Sequence, residues 1–136
     1  DTATTEIYTL SLHDALPISV PKGDSVGYGR TFTAQKDSRI AIIPIGYADG
    51  IPRNLSCGNG RIRIRQYIVP IIGRICMDQL AVDITEAEDI VVGDVATFIE
   101  AKAESELAAP VVADQTGSIS NELLCRIGAR LPVIEK

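Results

Sequence analysis

Three short segments hold the residues that could do chemistry: 27–34 (GYGRTFTA), 45–50 (IGYADG) and 73–79 (GRICMDQ). Between them they set two tyrosines, carboxylates and arginines into glycine-punctuated strand ends, and Arg53 follows shortly after the second. A phenol has a pKa near ~10, so Tyr28 or Tyr47 needs positive charge nearby to exchange protons at neutral pH. A guanidinium fork suits a carboxylate, which makes Arg53 and Arg74 candidates for binding one. Asp49, framed by Gly46 and Gly50, suits the turn itself by accepting backbone N–H groups. Cys76 has no histidine or other base beside it and reads as packing rather than as a nucleophile. Each residue also has a plainer reading. Tyr28 alone is an ordinary strand aromatic, and either arginine alone is half of a surface ion pair.

Taken together, in this order and spacing, the three segments resemble the C-terminal domain of the alanine racemase family. These are pyridoxal-phosphate enzymes that invert amino-acid stereocentres. The resemblance covers nearly all of residues 20–136 and implies a mainly β, barrel-like domain with one or two short helices near the C-terminus. Inverting a stereocentre removes the Cα proton from one face and returns one to the other, so an acid/base group is needed on each side. In the family one is a lysine on a separate N-terminal (β/α)8 barrel, which also holds the cofactor. The other is a tyrosine from the partner subunit's C-terminal domain, and by motif it corresponds to Tyr28. Tyr47 corresponds to an active-site gate tyrosine. Met77 and Asp78 correspond to residues lining the substrate pocket, and Arg53 and Arg74 to arginines of the substrate-access channel. The implied parent is a homodimer acting on a small amino acid, with D-alanine supply for the cell wall as its role.

One position departs from the family pattern. Where the family commonly places a tyrosine near the cofactor phosphate, the segment Ile119–Leu124 aligns Asn121. Asn is shorter and offers both a donor and an acceptor, leaving room and a partner for a hydroxymethyl side chain. In this the chain resembles the serine/alanine racemases of the vancomycin-resistance type, whose racemase portion follows a membrane-embedded domain. Ordinary helix-surface variation is the alternative, and alanine and serine both stay open. No lysine here has the barrel context (Lys22, Lys36, Lys102 and Lys136 read as loops or termini). The resemblance therefore implies that this chain alone neither retains pyridoxal phosphate nor racemises anything.

Residues 1–18 read differently from the rest. DTATTEIYTLSLHDALPI is, codon by codon, the translation of a common short-read sequencing adapter beginning GATACGGCGACCACC. The segment lacks a basic leader and Asp14 interrupts its apolar stretch, so neither a secretory signal nor a membrane span fits. It is expected to be a library scar, with the native domain at 19–136. The only histidine, His13, falls inside it, which sets histidine catalysis aside. Removing Asp1, Glu6 and Asp14 leaves fifteen acids against thirteen bases, a net charge near −2. That gives no field for nucleic acid. No apolar run approaches the ~20 residues of a bilayer span. Localisation in the cytoplasm, or in the cytoplasmic part of a membrane-anchored parent, follows as the expectation. Cys57, Cys76 and Cys125 are widely spaced and odd in number, so zinc is not expected and a reducing compartment is. Cys76 and Cys125 read as small core residues.

The elements that must position these residues read mainly as strands: 26–34, 39–45, 61–65, 68–72, 80–84, 95–99 and a last one at 131–134. Cys57–Gly60 reads as a hairpin-type turn. Residues 61–65 alternate arginine and isoleucine, the pattern of a half-buried strand with a solvated basic face. Helices are expected at 110–114 and from a Ser118 or Ser120 cap to Ile127. Two readings from other classes remain beside the racemase half: a non-catalytic β-domain that binds a ligand or partner, and a β-barrel module of a larger assembly.

Overall fold

The computed structural model describes residues 10–12 and 15–128. Among the described residues nine strands and two α-helices form, in chain order, β1 (Leu10–Leu12), β2 (Leu16–Val20), β3 (Ser25–Val26), β4 (Phe32–Thr33), β5 (Ser38–Ile43), β6 (Arg61–Ile64), β7 (Tyr67–Ile72), β8 (Leu80–Asp83), β9 (Ala96–Ile99), α1 (Ala109–Gln115) and α2 (Ser120–Cys125). Seven strands make one antiparallel sheet in the order β1-β9-β6-β7-β8-β5-β2, and β3 pairs with β4 alone. The sheet is not closed, but Ala15 exchanges two backbone hydrogen bonds with Gly93 and Asp94 near its open ends. The expected strand at 131–134 lies outside the described residues. β2 crosses the boundary drawn at Ile18, pairing Leu16–Val20 with Ile42–Ser38.

β7 is the strand that changes partner along its length. Its first part pairs with β6 as far as Pro70, and Ile71 and Ile72 pair with β8. Pro70 has no N–H to give a ladder, and it sits where β7 passes from one partner to the other. The alternation of each strand fills the interior with Ile43, Ile62, Ile64, Ile71, Leu80, Val82, Phe98 and Ile99. α1 and α2 lay Val112, Ala113 and Leu123 against that core. Pro110 lies in the first turn of α1, where its missing N–H costs nothing.

The strand expected at 26–34 is broken. β3 and β4 flank a 3-10 turn, Tyr28–Arg30, because Gly27, Gly29 and Arg30 all take positive φ (86°, 72° and 55°). Cys57–Gly60 turns the chain but joins no hairpin, since Arg53–Leu55 before it is a 3-10 turn. The two-residue hairpin is instead Arg65–Gln66, between Ile64 and its partner Tyr67, with Arg65 at φ 55°. α2 begins at Ser120 with no side-chain cap, and the Ser118 hydroxyl donates to the Glu122 carboxylate rather than capping the helix backbone. Cys125 is exposed rather than packed in the core.

The basic row on β6 is neutralised locally. Arg61 pairs with Glu106, Arg63 with Glu100 and Arg65 with Asp94 and Asp89. Arg65 grips Asp94 through Nε and Nη2 at 2.7 and 3.2 Å, and the Val91 N–H adds a third bond. The Arg65 bond first, and the Val91 amide next, hold the Asp94 carboxyl below its ordinary range. A folded-state pKa below the unfolded value of about 3.9 means the contribution is present above that pH. It is lost as pH falls through the folded value. Asp94→Asn is therefore expected to lower the melting temperature by a few degrees near neutrality. The deficit should close as pH falls through the folded value. Thermal scans of both proteins across pH check it, and a deficit that persists in acid rules out the charge as its source.

Candidate active site

The segment Gly73–Met77 after β7 is the part that gathers the candidate residues. At one end it receives the Tyr28 turn. The Arg74 N–H donates to Thr31 Oγ1 at 3.0 Å. Gly27 and Gly73 are neighbours, with a methyl on Gly27 in ordinary contact at 3.5 Å from the Gly73 Cα. The Arg74 guanidinium lies against the same turn, with Nη1 3.6 Å from where a Gly29 methyl would stand. Arg74 thus brings a permanent positive charge to the turn that carries Tyr28.

At its other end the segment receives the Tyr47 turn. The Tyr47 N–H donates to the Cys76 carbonyl and the Ala48 N–H to the Met77 carbonyl, both at 3.0 Å. A Cβ on Gly46 would fall 2.1 Å from the Cys76 oxygen, so only glycine allows this approach. Asp49, 3 % exposed, accepts the Gly46 N–H at 3.1 Å and closes the turn on itself. Between the two ends, the buried Ser56 hydroxyl accepts the Ile75 N–H at 2.8 Å. The side chains of Tyr47 and Met77 stay 46 % and 51 % exposed beside this framework.

Arg53 reaches back over Tyr47, its guanidinium carbon 5.9 Å from the ring centroid, a cation–π distance. Among the described residues neither Arg53 nor Arg74 has a carboxylate within 4 Å. Two cavities open here. One of about 490 Å³ is lined by Tyr47, Gly50, Ile51, Pro52, Arg53 and Arg126. A second of about 170 Å³ runs from Arg53 and Asn54 to Ser118, Glu122 and Arg126. Asp78 is exposed at the end of the 73–77 segment. Asn121 is exposed on the first turn of α2 and lines neither cavity.

Three residues of this framework were not visible as such in the sequence. Thr31 lies inside the first motif, where its hydroxyl beside Gly27 and Gly29 was the available signal. Ser56 and Arg126 act across 19 and more residues of chain, and no local pattern marks them. No lysine among the described residues lines either cavity. Lys36 is engaged with Glu86 at 2.8 Å, and Lys22 and Lys102 are exposed elsewhere. Among the described residues no cluster of potential metal ligands occurs, and no helix is long and apolar enough to cross a membrane.

A family profile described as "Alanine racemase, C-terminal domain" matches residues 15–135. The chain belongs to the alanine racemase family. An amino-acid racemase from Enterococcus faecalis is 53 % identical over 117 residues, covering 86 % of this chain and 16 % of that protein. The alanine racemase from Streptomyces coelicolor A3(2) superposes with a TM-score of 0.84 at 34 % identity, over 93 % of this chain and 32 % of its own. The alanine racemase from Bartonella henselae, solved with covalently bound pyridoxal phosphate, superposes at 0.80 with 31 % identity, over 88 % and 32 %. The chain thus spans about a third of the solved alanine racemases and a sixth of the Enterococcus relative. That relative is accordingly about twice as long as they are. The mainly β fold with two short helices is the alanine racemase C-terminal fold.

Proposed function

We propose that this chain is the C-terminal half of a pyridoxal-phosphate-dependent racemase that interconverts the L and D forms of alanine or serine. In that role Tyr28 supplies one of the two acid/base groups to the partner subunit's active site in a homodimer. The observation that carries the reading is the common anchorage of the Tyr28 and Tyr47 turns on Gly73–Met77. A domain that only bound a partner would have no need to lock two tyrosine turns onto one five-residue segment that also carries Arg74. When bound to the parent's other half, the cofactor stabilises negative charge at Cα. The work left to this chain is to hold a proton at the Tyr28 phenol, to keep Arg74 charged beside that turn, to narrow access with Tyr47 and Met77, and to attract the carboxylate with Arg53. Asp78 completes the lining after Met77. Residues 1–18 belong, in this reading, to the adapter and not to the enzyme.

The Enterococcus relative supports a parent that is longer than an ordinary alanine racemase. Together with Asn121 it favours a site that also admits serine. The test is racemisation of both amino acids by the purified full-length parent loaded with cofactor, alongside its Asn121→Tyr variant. The expected result is activity on both substrates in the parent. In the variant, serine kcat/KM is expected to fall by about tenfold and alanine to change by less than about threefold, the scale of one lost hydrogen bond and one crowded side chain. A parent that turns over alanine alone, or a variant that treats serine as before, removes serine from the reading. A folded, cofactor-loaded parent with no racemisation ends the racemase reading altogether.

A further inference from the structure

We propose that Arg126 is a substrate-binding residue, forming with Arg53 a two-guanidinium cradle for the carboxylate of the incoming amino acid. The proposal rests on the racemase reading above. Both arginines line both cavities beside the Tyr47 turn. Arg126 sits just past α2, more than seventy residues from Arg53 in sequence, and none of the three motif segments contains it.

Its place is fixed by backbone. The Arg126 carbonyl packs into the space that a side chain at Gly50 would occupy, 2.1 Å from an ideal Cβ. Two residues on, the Gly128 N–H donates to the Asp49 carbonyl at 2.9 Å. The Tyr47 turn and the end of α2 are thereby one unit, and Arg126 projects from their junction. The charge balance then favours an anion. The lining of the two cavities holds Arg53, Arg126 and a single carboxylate, Glu122. Glu122 Oε1 takes the Ser118 hydroxyl and stands 3.8 Å from Arg126 Nη2, beyond hydrogen-bond reach. Among the described residues the Arg126 fork donates no hydrogen bond to a carboxylate, and the cavity lining carries one cation in excess. A carboxylate between them relieves their repulsion and matches the fork geometry.

The experiment measures KM and kcat for alanine in the full-length, cofactor-loaded enzyme, with thermal unfolding of every variant. Arg126→Gln is expected to raise KM about 2- to 5-fold, the range of an exposed charge pair, with kcat held within about twofold. Arg126→Lys, which keeps the charge and loses the fork, is expected to lie between. Glu122→Gln removes the competing carboxylate and is expected to lower KM, a change of sign that damage to the fold does not produce. A folded Arg126→Gln enzyme with unchanged KM overturns the proposal, as does a Glu122→Gln enzyme whose KM rises. Should Arg126→Gln fail to fold, the sign of the Glu122→Gln effect decides alone. An unsubstituted parent without racemase activity overturns the racemase reading and this proposal with it, whereas an active parent with indifferent variants overturns only the proposal.

Discussion

Replacing Tyr28 by phenylalanine in the full-length enzyme is expected to lower kcat for alanine by about 10²- to 10⁴-fold, the range of a lost general acid or base. KM should change little, because the substitution removes one oxygen and leaves Arg53, Arg74 and Tyr47 in place. Loss in kcat and kcat/KM together marks an interaction made only in the transition state. A second readout follows from having two acid/base groups on opposite faces. With one removed, exchange of the Cα proton with solvent deuterium becomes one-sided, so the two enantiomers lose different amounts of activity in the exchange assay. Arg74 enters here through its charge. Arg74→Lys keeps a cation beside the turn and is expected to preserve most of the rate. Equal, mild losses in both directions from Tyr28→Phe would remove Tyr28 from the chemistry.

The largest expected effect on stability is at Gly50. Its φ of 105° belongs to the left-handed side of the map, and an alanine there meets the Arg126 carbonyl oxygen at 2.1 Å and carbon at 2.5 Å. The conformational cost alone is about 1–2 kcal/mol, and the overlap is with backbone, which cannot swing aside as a side chain can. Together they place Gly50→Ala at about 3 kcal/mol or more, roughly 10 °C of melting temperature for a domain this size. Gly46→Ala isolates the steric part. Its backbone is extended, with φ −149°, yet its Cβ would reach the Cys76 oxygen at 2.1 Å. Scanning calorimetry of both variants checks the order. A Gly50→Ala domain that melts with the parent would mean that α2 does not seat on the Tyr47 turn.

Much of this was legible from residue types. The isoleucine rows of β5, β6 and β7 announced buried strands, and Asp49 between two glycines announced a self-closed turn. What failed did so for lack of distant partners. The aromatic, β-branched run at 26–34 has strand composition, and only the positive φ of Gly27, Gly29 and Arg30 breaks it. Those angles are set by packing on Gly73 and Arg74, more than forty residues on. Arg65 continues the arginine alternation of β6, but its carboxylate partners Asp89 and Asp94 draw it into the hairpin turn. The arginine row looked like a basic surface until Glu100, Glu106 and Asp94 arrived from other strands and loops. Of the candidate site, Tyr47 and Arg53 share one cavity, Arg74 lies against the turn that carries Tyr28, and Asn121 is exposed on α2. Arg126 was invisible because its relation to Tyr47 exists only after folding.

The 73–77 segment also acts as a ruler. The Arg74 N–H holds one tyrosine turn and the Met77 carbonyl the other, so the two anchor points are three residues apart along the chain. Even fully extended, three residues reach only about 11 Å. The gap between the two turns is therefore set by chain length, and side-chain substitutions within the segment leave it unchanged. One inserted residue lengthens the ruler by about 3.4 Å, and one deleted residue shortens it equally. Loop length between these two anchors is thus the variable through which the spacing of the two turns could widen while each tyrosine keeps its own turn intact.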